Sequence, residues 1–161
     1  MANKFNGLTG TAAEYFVAGE LSRRLWHAAL TIKNAEHADI LCTNGKKTVQ
    51  IQVKSTYDKP KTKSFLLGES NQDWIGDDKF YVFVNLDTKY IKNGDTQTFD
   101  KNSICKNEYF IVPSNVVSKN IAIHHKQYVD RGGKDTPLRE FGKNQEDNIA
   151  SYENNWDLLW K

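Results

Sequence analysis

The stretch Val49-Gln50-Ile51-Gln52-Val53-Lys54-Ser55-Thr56, reached from Ala38-Asp39-Ile40-Leu41-Cys42-Thr43 through Asn44-Gly45, decides how this chain folds. Val49, Ile51 and Val53 alternate with Gln50, Gln52 and Lys54, the period of two that puts one set on each face of a strand. Asn-Gly between two such runs is the strongest short hairpin signal. Strands are therefore expected over Ala38 to Thr43 and Lys47 to Thr56. With Asn44-Gly45 as a two-residue turn, Thr43 pairs with Lys46, and Asp39 falls opposite Gln50 and diagonal to Gln52. Diagonal neighbours lie about 7 Å apart, and Lys54 follows on the same face about 7 Å further along. An acid, an amide oxygen and an ammonium converge on one patch. A surface hairpin also carries a polar face, so the pattern alone leaves both readings open.

Working outward, Thr11 to about His27 reads as a helix, with Val17, Leu21, Leu25 and Ala28 on one face and Thr11 as its N-cap. Glu14 lies at the end of that apolar stripe. A capping box, Thr11-Ala12-Ala13-Glu14, accounts for it; so does an inward role, in which the helix packs on the sheet and carries the carboxylate to Asp39. A carboxylate facing inward needs a cation, because an unpaired buried charge costs several kcal/mol. Phe80-Tyr81-Val82-Phe83-Val84-Asn85-Leu86 is nearly continuously apolar, as in a central strand buried on both faces. Tyr109 to Val112 and Ile121 to His124 are expected strands, with a short helical segment from Ser114 to Lys119 between them. Residues 130–143 read as an irregular loop, and a final helix from Asn144 would pack through Ile149, Tyr152, Trp156, Leu159 and Trp160. The order predicts an α/β domain with a mixed sheet, one domain over residues 1–161.

Composition narrows the class. With 161 residues, 39% hydrophobic and 12% aromatic, the chain builds a real core and is not disordered. No apolar run approaches the roughly 18 residues of a membrane helix, and Met1-Ala2-Asn3-Lys4-Phe5-Asn6-Gly7 does not read as a secretory leader. Cys42 and Cys105 form no metal or disulfide framework, which fits a reducing, cytoplasmic setting. Net charge is only +2, so a polyanion must be held by local clustering. Lys46, Lys47, Lys54, Lys59, Lys61 and Lys63 against Asp58 give such a cluster, either a solvated surface or a patch that tracks phosphates.

Glu14 on a first helix, Asp39 opening a hairpin and Gln52-Val53-Lys54 on the return strand together resemble the PD-(D/E)XK nuclease superfamily. The match is carried by Gly10-Thr11-Ala12-Ala13-Glu14, Ala38-Asp39-Ile40-Leu41 and Gln50 to Thr56. Later stretches (Phe80 to Leu86, Tyr109 to Ser114, Tyr152 to Leu159) look like the later parts of small members. Two positions depart from the pattern. Ala38 stands where proline is usual, and Gln52 where the second acid is usual; glutamine brings an oxygen without a negative charge, so a metal is expected to be held more weakly.

The resemblance implies a restriction-endonuclease-like three-layer core with a mixed central β-sheet flanked by helices. It also implies metal-dependent hydrolysis of DNA phosphodiesters with Mg²⁺ or Mn²⁺. Asp39, Gln52, the Val53 carbonyl and Glu14 would hold the metal, and Glu14, Asp39, Gln52 and Lys54 would form the catalytic set. Gln50, Ser55, Thr56, Lys59, Lys61 and Lys63 would meet the nucleic acid. Superfamily members often work as homodimers. The alternative is a catalytically inactive nucleic-acid-binding or assembly subunit that keeps the fold.

Other residues are read structurally. His124 and His125 would point to opposite faces of a strand. His37, opposite Gln52 in the expected register, either edges the site or is a surface histidine. Cys42 is a small core residue, the four tryptophans are mostly core, and Arg131-Gly132-Gly133-Lys134 is a surface loop.

Overall fold

Every residue from Phe80 to Leu86 is buried, and this run forms the heart of the sheet. The computed structural model describes residues 2–32, 38–57, 64–87, 90–93, 96–100, 106–143 and 145–161. Helix α1 (Ala2–Arg23) leads into strand β1 (His27–Leu30) and the hairpin β2 (Ile40–Thr43) and β3 (Thr48–Tyr57). Strands β4 (Phe65–Gly68), β5 (Lys79–Leu86), β6 (Tyr90–Asn93), β7 (Thr96–Phe99) and β8 (Glu108–Pro113) follow. Helix α2 (Ser114–Asp130), strand β9 (Leu138–Phe141) and a series of short 3₁₀ turns complete the order.

The central sheet runs β1-β2-β3-β5-β8, with β3 and β5 parallel and the other pairs antiparallel. Alternation along β5 divides the interior. Phe80, Val82, Val84 and Leu86 join Ala13, Val17 and Leu21 of α1 in one core layer. Tyr81 and Phe83 join Val117 and Ile121 of α2 in the other. The result is the expected mixed sheet with helices on both faces. The pair β4–β9 adds Phe65, Leu67 and Phe141 to the second layer. No helix among the described residues is long and apolar enough to cross a membrane.

Several expectations change. The hairpin is shifted by two residues from the expected pairing: Thr43 pairs with Thr48 and Leu41 with Gln50. Asn44 is the first corner of the turn rather than its centre. Its Oδ1 accepts the N–H groups of Lys46 and Lys47, while Gly45 takes the positive φ of +85°. A side chain that makes its own Asx turn outcompetes the two-residue Asn-Gly geometry. A slip of two keeps every side chain on its face, so Val49, Ile51 and Val53 remain in the core.

Helix α1 extends well before Thr11, whose hydroxyl donates to the Gly7 carbonyl instead of capping a terminus. The helix ends earlier than expected. Trp26 N–H donates to Leu21 O and Leu25 N–H to Ser22 O, a Schellman closure with Leu25 left-handed at φ 68°. Leu25 is therefore exposed rather than part of the apolar stripe, and Ala28 belongs to β1. Ile121 to His124 is not a strand but the middle of the continuous helix α2. The tail packs through Trp156 and Leu159 as expected, yet as 3₁₀ turns, with Asn148 and Asn154 in left-handed conformations that interrupt a regular helix.

Candidate active site

Asp39 occupies a bend immediately before β2, where the chain enters the sheet. Its N–H donates to Ile51 O at 2.9 Å and its carbonyl accepts Thr31 N–H at 3.0 Å, so its backbone is fastened to both neighbouring segments. Continuing the hairpin register one step places it level with Gln52 rather than with Gln50. The side chain reaches across that hairpin: Val53 N–H donates to Asp39 Oδ2 at 2.7 Å.

Lys54 follows on β3, half-buried, beside Phe83 in the parallel register. Burial pulls its ammonium below the usual lysine value, and the negative charges of Asp39 and Glu14 oppose that shift. Burial likewise pushes the Asp39 carboxyl above its usual value, against the Val53 N–H and the Lys54 charge. Desolvation thus presses both groups toward their neutral forms, and the charge of each opposes that shift in the other. Glu14, half-buried one residue beyond core Ala13 on α1, completes the set as a second carboxylate acting on Lys54.

Gln52 is 7% exposed and pairs with Tyr81 on the parallel neighbour strand. Its Oε1 is buried and finds no hydrogen-bond donor. A buried amide oxygen without a donor is costly in isolation and is a ready acceptor for a cation. Asp39 and Glu14 offer carboxylate oxygens and Gln52 an amide carbonyl, hard donors of the kind that Mg²⁺ or Mn²⁺ takes. Among the described residues no group of three His, Cys, Asp or Glu side chains is arranged to hold a metal. Glutamine in place of an acid therefore lowers the charge of this set, but its oxygen chemistry still fits the ion.

Not every expected contact residue stands free. Gln50 donates through Nε2 to Asp78 Oδ2 at 3.0 Å, and its N–H donates to Asp78 O at 2.8 Å. Ser55 and Thr56 continue β3 beyond Lys54, half-buried beside Val84 and Asn85. Lys59, Lys61 and Lys63 lie outside the described residues, as does His37. Asp78 and Thr31 carried no sequence signal: each reaches its partner only through strand pairing that no local pattern encodes.

The remaining candidates are structural. His124 lies on α2 with Nδ1 3.5 Å from the buried Asp147, whose carboxylate accepts from the Asn120 amide and the Gly142 N–H. His125 meets Asp135 at 2.8 Å. Cys42 is buried in the first core layer, its thiol pushed up to about 12. Trp26, Trp74 and Trp156 are core residues, and partly exposed Trp160 leans on Trp26.

No family model matches this chain, and no curated protein matches it by sequence. Among solved structures it is similar to a bacterial homing endonuclease, I-Ssp6803I, with a TM-score of 0.51 over 96% of this chain and 91% of that one. The two are 12% identical, so the likeness is one of fold: a nuclease-like α/β architecture.

Proposed function

We propose that this chain is a divalent-metal-dependent DNA endonuclease of the PD-(D/E)XK type, folded as one domain over residues 1–161, with Gln52 at the second acidic position. The observation that carries the reading is the Asp39 carboxylate held by the Val53 N–H, with the charges of Asp39 and of Glu14 from α1 both acting on Lys54. The orphaned oxygen of Gln52 on the same strand adds to it. The nuclease-like fold supports it.

In this reading Asp39, Gln52, the Val53 carbonyl and Glu14 hold Mg²⁺ or Mn²⁺. Such an ion, when bound, supplies a water that ionises near neutral pH and relief of charge on the scissile phosphate. The chain's own residues do the rest. The Val53 N–H fixes the rotamer of Asp39. Lys54, whose ammonium form Asp39 and Glu14 favour against burial, donates to the attacking water and to the oxygen on which negative charge develops. Low exposure around Gln52 and Lys54 strengthens those interactions by excluding bulk water. Ser55, Thr56, Lys59, Lys61 and Lys63 would bind the nucleic-acid backbone, and Gln50 is available once it exchanges Asp78 for a phosphate.

The test is cleavage of supercoiled, linear, single-stranded and branched DNA with Mg²⁺, Mn²⁺ or EDTA, using wild type and Lys54→Ala. Removing one stabiliser of developing charge is expected to cost about 100-fold or more in rate. Metal-dependent cutting that disappears in the lysine variant is the expected result. Salt-dependent binding without cleavage would overturn the enzyme reading and leave a binding subunit.

A further inference from the structure

Neighbouring positions i and i+2 of a strand share a face, yet Ala38 belongs to the second core layer and Ile40 to the first. The alternation breaks between them, at the bend that carries Asp39. At this kink Asp39 keeps main-chain bonds to Ile51 and Thr31, while the Ala38 carbonyl before it is met by a side-chain hydroxyl, and the aim of the Asp39 carboxylate depends on the peptides on both sides of it.

One residue holds both peptides. Thr31 Oγ1 donates to Ala38 O at 2.6 Å and stands 3.3 Å from Asp39 O, while Thr31 N–H donates to Asp39 O at 3.0 Å. The peptide before Asp39 is gripped at its carbonyl by the Thr31 hydroxyl and at its N–H by Ile51 O. The peptide after it is gripped by Thr31 N–H. Valine in place of threonine keeps the shape and the main-chain bond but leaves the buried Ala38 carbonyl without this donor.

We infer that Thr31 is a positioning residue for Asp39: its hydroxyl fixes the kinked backbone so that the carboxylate meets Val53 N–H and faces Lys54. The functional consequence rests on the nuclease reading above, but the geometric one does not. Thr31 supplies no ligand in the proposed catalytic set and would act only through Asp39.

Thr31→Val and Thr31→Ser are compared with wild type by amide hydrogen exchange at Val53, normalised to the Ile111 amide, and by kcat and KM of metal-dependent cleavage. In Thr31→Val the normalised Val53 exchange is expected to rise about tenfold, in line with loss of one hydrogen bond. The kcat is expected to fall about tenfold with KM little changed, because a misaimed Asp39 impairs the step and not DNA binding. Thr31→Ser, which restores the hydroxyl, is expected to restore both. A Val53 ratio in Thr31→Val equal to wild type would overturn the inference, as would a serine variant no better than valine. If valine prevents folding, Thr31→Ala serves as the second hydroxyl-free variant. A changed Val53 ratio in a protein whose wild type cuts no DNA would uphold the Thr31 clamp while overturning the nuclease reading.

Discussion

Asp39 and Val53 are joined across the β2–β3 hairpin by a 2.7 Å hydrogen bond in which the Val53 N–H donates to the Asp39 carboxylate. The bond places the acid beside the residue that separates Gln52 from Lys54. It also spends a main-chain donor of a central strand on the side chain of a half-buried acid. Three expectations follow from this neighbourhood and from the helix that borders it.

Stability should carry the signature of the Asp39 proton. The folded protein holds that proton more tightly than the unfolded chain, because burial raises the carboxyl above 3.8. The stabilising contribution is therefore complete below 3.8 and is lost as pH rises through the folded value. In EDTA, the melting temperature of wild type minus that of Asp39→Asn should fall across that acidic window. Excess Mn²⁺ at neutral pH should raise the wild-type melting temperature and leave Asp39→Asn unmoved. A pH-independent difference would mean that burial does not govern this carboxyl.

Gln52→Glu should act in opposite directions with and without metal. At 7% exposure a new carboxylate beside Asp39 adds an uncompensated buried charge, so the variant should melt below wild type in EDTA. With Mn²⁺ the added charge should tighten binding about tenfold or more, read by calorimetric titration. Equal Mn²⁺ affinity in the two proteins would show that the Gln52 oxygen does not face the cation.

Leu25→Gly should stabilise the chain by about 1 kcal/mol, measured by urea denaturation, because a left-handed leucine at the helix end is strained where glycine is not. The side chain is 87% exposed and φ is 68°, so little packing is lost in exchange. A loss of stability would show that Leu25 is held by contacts with the adjoining groove between α1 and β1.

The parts of the fold visible in the sequence were those written in short-range pattern. The alternation from Val49 to Lys54 and the apolar run from Phe80 to Leu86 gave β3 and β5, and the approach of Asp39 to that strand followed from the hairpin. Register was misjudged because Asn44 chose an Asx turn, a competition between two local geometries that the dipeptide does not resolve. Ile121 to His124 looked strand-like over four residues, whereas Val117 and Ile121 at helical spacing are what bury α2. Short strands such as β1, β4 and β9 have four residues each, too few for a period to show. Thr31 and Asp78 entered through contacts made by strand pairing, which leaves no mark on the neighbouring sequence.

One rim of the central sheet is covered by the chain that follows it. Along β8, Phe110 bridges to Glu153 and Asn154 N–H donates to Tyr109 O, so the tail lies against that rim as an extra, irregular strip. An exposed rim is a template for joining other chains. Without residues 153–154 the outer border of β8 would lose the Phe110–Glu153 bridge and the Asn154 N–H bond to Tyr109 O. A chain cut short before Glu153 would therefore be exposed to aggregation at a rim that residues 153–154 conceal.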